Sequence, residues 1–377
     1  MIHRPRSGPP FRFPEAHHGR GELTYDRNIP ILRVAGTPEE IGEQLAVLSV
    51  QPAARLLDFP ADLVRHFVRS QLLARILVRR AVRLGGRLLA RFPEAPGREL
   101  DAMIAAGLDR DRMVLGNTLY DLKNIRPWQV LGCSSLIVPA ARSATGGPLF
   151  GRNVDFHGLG YLHEYSLATI RPRSPRTRAY MTLGFPGLVG CFSGMNDAGL
   201  AIASHEVFGV PGIRRYNPRG VPFTLAYRRV LEECARTTEV APLLRGIERT
   251  TSTLLVLCDR DGGRVLEVTP DHVIEQPQVD DVIACTNHYR SPELARRTPP
   301  RQFRTGERLS TLTERAAGQE TFTPADVRAT LHATHQGPMT IQTMVFEPAA
   351  LAVHVGFGAP PTTGRELVRV ELARLLA

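Results

Sequence analysis

The chain changes texture at Cys133. Ahead of it, apolar residues recur at helical spacing; behind it, short apolar runs separated by turn residues dominate, in the order strands, helices, strands. That order stacks sheet layers against helix layers and disfavours a β-α-β-α alternation, so an α+β class is expected. At 377 residues there is length for a sizeable core, in one large unit or two. The junction is itself unusual. Leu131-Gly132-Cys133-Ser134-Ser135 enters an apolar strand at Leu136, and Gly151-Arg152-Asn153-Val154-Asp155 follows within about two dozen residues.

On Gly-Cys-Ser-Ser alone, Gly132 ends a turn and Cys133 is a small apolar residue opening a strand. The Gly-Arg-Asn-x-Asp segment tips the reading toward a nucleophile with electrostatic partners. If the Gly132–Cys133 bond is cut, the cysteine heads a new chain and its α-amino group can serve as base. A free α-amine titrates at about 7.7–8.0 and a free thiol at about 8.5, so proton transfer between them is nearly balanced at neutral pH. The Arg152 guanidinium would favour the thiolate, and Asp155 would orient the arginine or the ammonium. Glycine ahead of the cysteine tolerates the distorted backbone that attack on its own carbonyl needs.

Composition bounds the remaining possibilities. The 43% apolar and 22% charged residues exclude global disorder. A net charge of +10 raises nucleic acid or acidic membranes as partners, yet all the positive charge except Lys123 is arginine, which a biased codon supply explains as readily as function. No zinc finger, helix-turn-helix, phosphate loop or aromatic-basic platform accompanies it, so nucleic acid is not an expected partner. The five cysteines (Cys133, Cys191, Cys234, Cys258, Cys285) lack C-x-x-C spacing, which suggests neither a disulfide framework nor a zinc site. His332-x-x-His335 offers two ligands without an obvious third, so no metal or cofactor is expected. Met1 to Arg20 has no apolar signal region, and no run of eighteen apolar residues exists to span a bilayer; a soluble, cytoplasmic protein is expected.

Residues 1 to about 28 read as a loose arm, Ile29 to Val34 as a strand, and Thr37-Pro38-Glu39-Glu40 as a helix start. From Ala61 to Phe92 a helical stretch places Arg65, Arg69, Arg75, Arg79, Arg80, Arg83, Arg87 and Arg91 within an arc of roughly 160°. Leu72 and Ile76 intrude on that face, and Gly85-Gly86 is the expected break. The face is either solvated or a surface for acidic lipid headgroups or an acidic carrier. After Cys133, hairpins are expected around Gly146-Gly147 and Asp261-Gly262-Gly263. Further strands are expected at Ser166 to Arg171, Arg178 to Phe185, Leu188 to Phe192, Gly199 to Ser204, Val282 to Thr286, Thr340 to Phe346 and Ala352 to Phe357. Helices are expected near Pro222 to Cys234, Thr238 to Gly246, Thr305 to Ala316 and Thr323 to His332.

With these motifs in place, the chain resembles the N-terminal-nucleophile (Ntn) hydrolases of the isopenicillin N acyltransferase type, related to choloylglycine hydrolases, acid ceramidase and N-acylethanolamine acid amidase. The residues that carry the resemblance are Ile29 to Leu48, Asn117-Thr118-Leu119-Tyr120-Asp121-Leu122, Leu131 to Ser135, Gly151 to Asp155, Gly194 to Leu200, Cys285-Thr286-Asn287-His288 and Thr340 to Phe346. It implies an αββα four-layer sandwich of two antiparallel sheets. It also implies a precursor that cuts itself between Gly132 and Cys133, into a mostly helical segment 1–132 and a catalytic core 133–377 forming one compact unit.

Carried over residue by residue, Cys133 would be the nucleophile, with Arg152 and Asp155 positioning and polarising it. Asn287 would supply an amide N–H to the oxyanion, a contribution often worth about 2.7–4 kcal/mol of barrier. Asn196 is a competing donor whose simpler reading is a turn residue. Glu206 resembles the glutamate of ceramidase-like relatives and would hold the N-terminal ammonium or the leaving amine; as a surface acid it would do neither. Arg308 resembles a family arginine, and Arg304 competes for its place. The expected activity is that of an amidohydrolase or acyltransferase acting on an N-acyl amide or acyl thioester, acyl-coenzyme A among them. The competing expectation is a non-catalytic membrane- or partner-binding protein that uses the basic helix 61–92 on the same fold; a weak membrane-surface contact fits either.

Overall fold

The computed structural model describes residues 10–123, 131–207, 212–278, 281–295 and 301–376. Residues 1–9 of the expected arm lie outside the described residues. The first part of the chain folds as β1 (Ala16–His18), β2 (Gly21–Asp26), β3 (Ile29–Arg33), α1 (Pro38–Leu45), α2 (Phe59–Phe67), α3 (Gln71–Leu89), α4 (Glu94–Ala105) and α5 (Arg110–Leu122). The strand-rich run that follows is β4 (Leu131–Val138), β5 (Leu149–Phe156), β6 (Leu167–Arg171), β7 (Tyr180–Gly184), β8 (Ser193–Asn196) and β9 (Ala201–Glu206). Next come α6 (Phe223–Glu233), α7 (Thr237–Arg245), β10 (Thr253–Asp259), β11 (Gly262–Val268), β12 (Val273–Glu275) and β13 (Ile283–Cys285). The chain closes with α8 (Thr305–Ala317), α9 (Pro324–His332), β14 (Thr340–Glu347), β15 (Ala352–Gly356), β16 (Val368–Glu371) and α10 (Leu372–Leu376).

Two sheets form. One has ten strands in the order β1-β2-β3-β6-β7-β8-β9-β10-β11-β12, the other six in the order β13-β4-β5-β14-β15-β16. They meet where β4 lies against β9, α6 and α7 cover the outer face of the ten-stranded sheet, and α8 and α9 cover the six-stranded one. The result is the expected helix–sheet–sheet–helix sandwich of mixed α+β class. One detail differs: β3 pairs with β6 in parallel, so the larger sheet is not wholly antiparallel.

The expected loose arm gives way to structure, because β1 and β2 pair and β2 hands the ladder on to β3. The anticipated strand Leu188 to Phe192 is irregular, and the strand lies just beyond it at Ser193–Asn196. The basic helical stretch breaks at 68–70, where the Ser70 hydroxyl accepts the Leu73 N–H and caps α3. Gly85 and Gly86 stay helical. A Cβ at Gly85 would sit 2.4 Å from Thr118 Oγ1 and 2.8 Å from Val114 Cγ1, so glycine there lets α3 close on α5. Leu72 and Ile76 are exposed, as are Phe67 and Leu73 beside the break. Among the described residues no helix is long and apolar enough to cross a membrane.

Helix α4 is tied to the larger sheet through Glu99, which accepts from Arg228 of α6 and Arg171 of β6; all three side chains are at most 5% exposed. Burial opposes ionisation of Glu99, yet the two guanidiniums hold its carboxyl below the usual range. Helix α5 is anchored in the same way by buried polar groups. Asn117 donates to the Met113 and Gly187 carbonyls and accepts the Val189 N–H. Asp121 accepts from the Phe223 N–H and from the Thr250 hydroxyl through one oxygen.

Burial pushes the Asp121 carboxyl up to about 7, against those two hydrogen bonds and the charge of Lys123. Because the folded value lies above the unfolded one of about 3.9, its contribution to stability is fully present below about pH 4 and is lost as pH rises through 7. Asp121→Asn keeps the acceptor and removes the titration. Denaturant unfolding should give wild type and variant similar stability at pH 4, with wild type weaker by on the order of 2–4 kcal/mol at pH 8. An equal gap at both pH values would contradict this.

Candidate active site

Strands β4 and β5 pair along their full length, with Gly132 opposite Asp155, Cys133 opposite Val154 and Ser135 opposite Arg152. Directly opposed residues share a face of the sheet, and successive residues alternate. Cys133, Ser135, Arg152 and Val154 therefore point between the two sheets, while Gly132, Ser134, Asn153 and Asp155 point toward α8 and α9. The contacts agree. Cys133 Sγ lies 3.9 Å from the Ser204 carbonyl of β9, and Asn153 donates to the Leu331 carbonyl of α9.

On the inter-sheet face, Arg152 Nη2 approaches Cys133 Sγ at 3.7 Å while Nη1 donates to the Phe192 carbonyl at 2.9 Å. The sulfur is buried. Burial pushes the Cys133 thiol up, Arg152 and Arg308 pull it down, and Asp155 and Glu206 oppose them; the net direction in the uncut chain is upward. Beyond the sulfur lies a pocket of about 580 Å³, including its mouth, walled mainly by Tyr120, Phe156, Leu183, Phe185, Phe192 and Phe223.

The backbone of Cys133 is held by side chains. Its N–H donates to Asn287 Oδ1 at 2.9 Å, and its carbonyl accepts from Arg308 Nη1 at 2.7 Å. Arg308 Nη2 donates to the same Asn287 Oδ1 at 2.6 Å, and Nε donates to the Phe303 carbonyl at 2.7 Å. Asn287 gives one hydrogen of its Nδ2 to the Glu206 carbonyl at 2.8 Å, and its own N–H goes to Thr305 Oγ1 at the start of α8. The asparagine follows β13, whose pairing with β4 ends at Cys285 opposite Ser135, and its side chain continues the ladder to Cys133.

Asp155 occupies the other face, behind Gly132. Thr340 Oγ1 donates to its Oδ1 at 2.6 Å, and Arg308 Nη1 lies 3.8 Å from its Oδ2. Burial pushes its carboxyl up to about 6, against the pull of Arg308, Thr340 and Arg152. Glu206 is no surface acid. Its side chain is 6% exposed and paired with Lys123. Arg304 pairs with Glu307 at the surface, so of these two arginines it is Arg308 that reaches Cys133. Asn196 lies elsewhere, bonded to the Leu231 and Cys234 carbonyls and to the Ala198 and Leu200 N–H groups, which accounts for all its polar capacity in holding a turn to α6.

The six expected residues Cys133, Arg152, Asp155, Glu206, Asn287 and Arg308 thus converge from β4, β5, β9, the end of β13 and α8. Sequence reasoning assigned no place beside Cys133 to Lys123, Tyr120, Thr340 or His205. The last has its Nε2 2.8 Å from Ser135 Oγ and its Nδ1 2.9 Å from the Thr286 carbonyl, and burial holds its pKa well below the ordinary value. Its neighbour in type, His288, is pushed down to about 4, chiefly by burial. His332 bonds Thr363 Oγ1 and its ring lies 4.7 Å from that of His335. Among the described residues no group of three His, Cys, Asp or Glu side chains gathers to hold a metal.

Comparison with known proteins adds the family. The chain aligns with an uncharacterised protein of Archaeoglobus fulgidus at 22% identity over 309 residues, covering 70% of this chain and 51% of that protein, so it spans about half the length of that relative. Among solved structures, the Caenorhabditis elegans N-acylethanolamine-hydrolyzing acid amidase ortholog is 16% identical, with 63% of this chain and all of that chain covered and a TM-score of 0.43. A variant of conjugated bile acid hydrolase from Clostridium perfringens is 14% identical, with 64% and 93% covered and a TM-score of 0.47. Penicillin V acylase from Agrobacterium tumefaciens is 13% identical, with 64% and 87% covered and a TM-score of 0.43. The family described as acyl-coenzyme A:6-aminopenicillanic acid acyl-transferase matches residues 142–361, more than half of the chain and the part that carries Arg152, Asp155, Glu206, Asn287 and Arg308. The chain belongs to this family of Ntn hydrolases.

Proposed function

We propose that this protein is a self-processing cysteine amidohydrolase or acyltransferase that carries its acyl group as a thioester on Cys133. The observation that supports this most is the capture of the Cys133 backbone by Asn287 and Arg308 while its sulfur faces Arg152 and an apolar pocket. A nitrogen already held by Asn287 Oδ1 needs no relocation to become a fixed α-amine once its peptide bond is gone.

In the cut itself, Sγ attacks the Gly132 carbonyl carbon, the C–N bond breaks, and the Cys133 nitrogen takes up the proton lost from the thiol. Water then hydrolyses the thioester, leaving a Gly132 carboxylate on a segment of 132 residues and a free amine on one of 245. In turnover, that amine takes the thiol proton as Sγ attacks the substrate carbonyl, then returns it to the leaving group. Arg152 stabilises the thiolate. Asn287 keeps the amine in place through Oδ1, and its second Nδ2 hydrogen serves the developing oxyanion. Asp155 and Arg308 act from behind the strand, fixing the new N-terminus. Five buried, unpaired cysteines suit a reducing compartment such as the cytoplasm.

The aromatic and aliphatic walls support an apolar acyl group as the part of the substrate that the pocket takes. Burying each added CH₂ is worth about 0.8 kcal/mol, close to fourfold in kcat/KM, until the space is filled. A series of straight-chain N-acyl amides or acyl thioesters should show such a rise followed by a plateau. A series with no dependence on chain length, or one favouring charged acyl groups, would count against the apolar assignment. For processing, intact mass spectrometry of wild type should show two chains meeting at Gly132 and Cys133, and Cys133→Ala should show one. A wild-type protein that stays whole, with a thiol inert to alkylation, would overturn the proposal.

A further inference from the structure

Lysine occurs once in this chain, at position 123, beside forty-six arginines. That residue is not on the solvated surface. Its side chain is 7% exposed, lies in the wall of the Cys133 pocket and forms an ion pair with Glu206. The end of α5 delivers it there. Asn117 and Asp121 lock the helix onto the 187–189 loop, Phe223 and Thr250, which leaves Tyr120 and Lys123, one turn apart, to line the pocket.

The pair is linked to the nucleophile through a short series of contacts. Lys123 holds the Glu206 carboxylate, the Glu206 carbonyl accepts from Asn287 Nδ2, and Asn287 Oδ1 accepts the Cys133 N–H. A carboxylate at Glu206 without a counter-charge would oppose formation of the Cys133 thiolate across a pocket of low polarity. The choice of residue fits the surroundings. An ammonium is compact and has three donors to satisfy, whereas a guanidinium brings a planar fork with five into a space walled by aromatic rings. In a chain whose default base is arginine, the single exception falls where that fork would be hardest to satisfy.

We propose that Lys123 is a positioning residue of the active site, which fixes and neutralises Glu206 beside the nucleophile. The inference rests on the reading of Cys133 as nucleophile. Its consequence is that the segment ahead of the scissile bond contributes Lys123 and Tyr120 to the wall of the site.

The test compares wild type, Lys123→Met, Lys123→Arg, Glu206→Gln and the Lys123→Met/Glu206→Gln double variant. The first readout is the pH dependence of Cys133 alkylation by iodoacetamide, followed by mass spectrometry on the peptide containing Cys133. Lys123→Met should move the midpoint up by about one pH unit. Adding Glu206→Gln should bring it back, and Lys123→Arg, which keeps the charge but not the fit, should fall between wild type and Lys123→Met. An unmoved midpoint in Lys123→Met, or a double variant matching the single one, overturns the proposal. The second readout does not depend on whether Lys123 variants fold. Lysine labelled with ¹³C gives one ε-methylene NMR signal per chain, which Glu206→Gln should shift; a signal indifferent to that change overturns the pairing. Should the wild-type chain remain uncut, the proposed function fails, and the lysine signal still reports on the pair separately.

Discussion

Everything at this site depends on one asparagine standing in for backbone. The short strand β13 stops pairing with β4 at Ser135, two residues short of the cysteine. Asn287 then reaches across with its side-chain amide, accepting the Cys133 N–H on one side and donating to the Glu206 carbonyl on the other. Arg308 clamps both the Asn287 oxygen and the Cys133 carbonyl. Hydrogen bonds to a charged group of this kind contribute about 1.5–3 kcal/mol each, and severing them would leave buried groups unsatisfied. A backbone ladder would fix the nitrogen equally well, but it would offer no amide hydrogens to a reacting oxygen.

The β4–β5 register divides the labour between the two faces of one sheet. Arg152 shares the inter-sheet face with the sulfur and the apolar pocket, where the proposed reaction has it act on the thiolate. Asp155, Thr340 and Arg308 share the helix-facing side behind Gly132, where the proposed cut would have them act on the peptide bond and the nitrogen that inherits it. A shift of one residue in pairing would exchange these roles, since every side chain would change face. The thiol lies deep enough that burial outweighs its guanidinium neighbours while the chain is whole. Under the proposed cut, an adjacent amine would change that balance by supplying a proton acceptor within the same residue.

Much of this was legible in the sequence because the chemistry is local to a few short motifs. Gly132-Cys133, Gly151 to Asp155 and Asn287 each carry their residue type and spacing on the surface of the text, and alternation along a strand makes their faces predictable. The choice between Arg304 and Arg308 was not, since it turns on which side of α8 meets β4. Glu206 could be read as an exposed acid because nothing nearby in sequence announces its partner. Lys123 entered only as the exception to an arginine excess, because its partner Glu206 lies far along the chain.

The same distinction explains the differences in the fold. The strands β1 and β2 carry a polar edge and short apolar content, so they read as an arm until β3 and its parallel neighbour β6 give them a sheet to join. In the basic stretch the glycine pair Gly85-Gly86 is the break that composition suggests. Instead it breaks at Ser70, a capping residue, while Gly85 is retained because α5 packs too closely for any side chain. Leu188 to Phe192 has the composition of a strand but supplies the Phe192 carbonyl to Arg152 and a wall of the pocket as irregular chain.

The most direct measurement is to trap the enzyme during turnover with an apolar acyl donor, quench in acid and sequence the acylated peptide by mass spectrometry. The expected result is an acyl group on the sulfur of a peptide that begins with Cys133 and bears a free α-amine. Acylation elsewhere, or turnover by a chain whose Gly132–Cys133 bond is intact, would contradict the account.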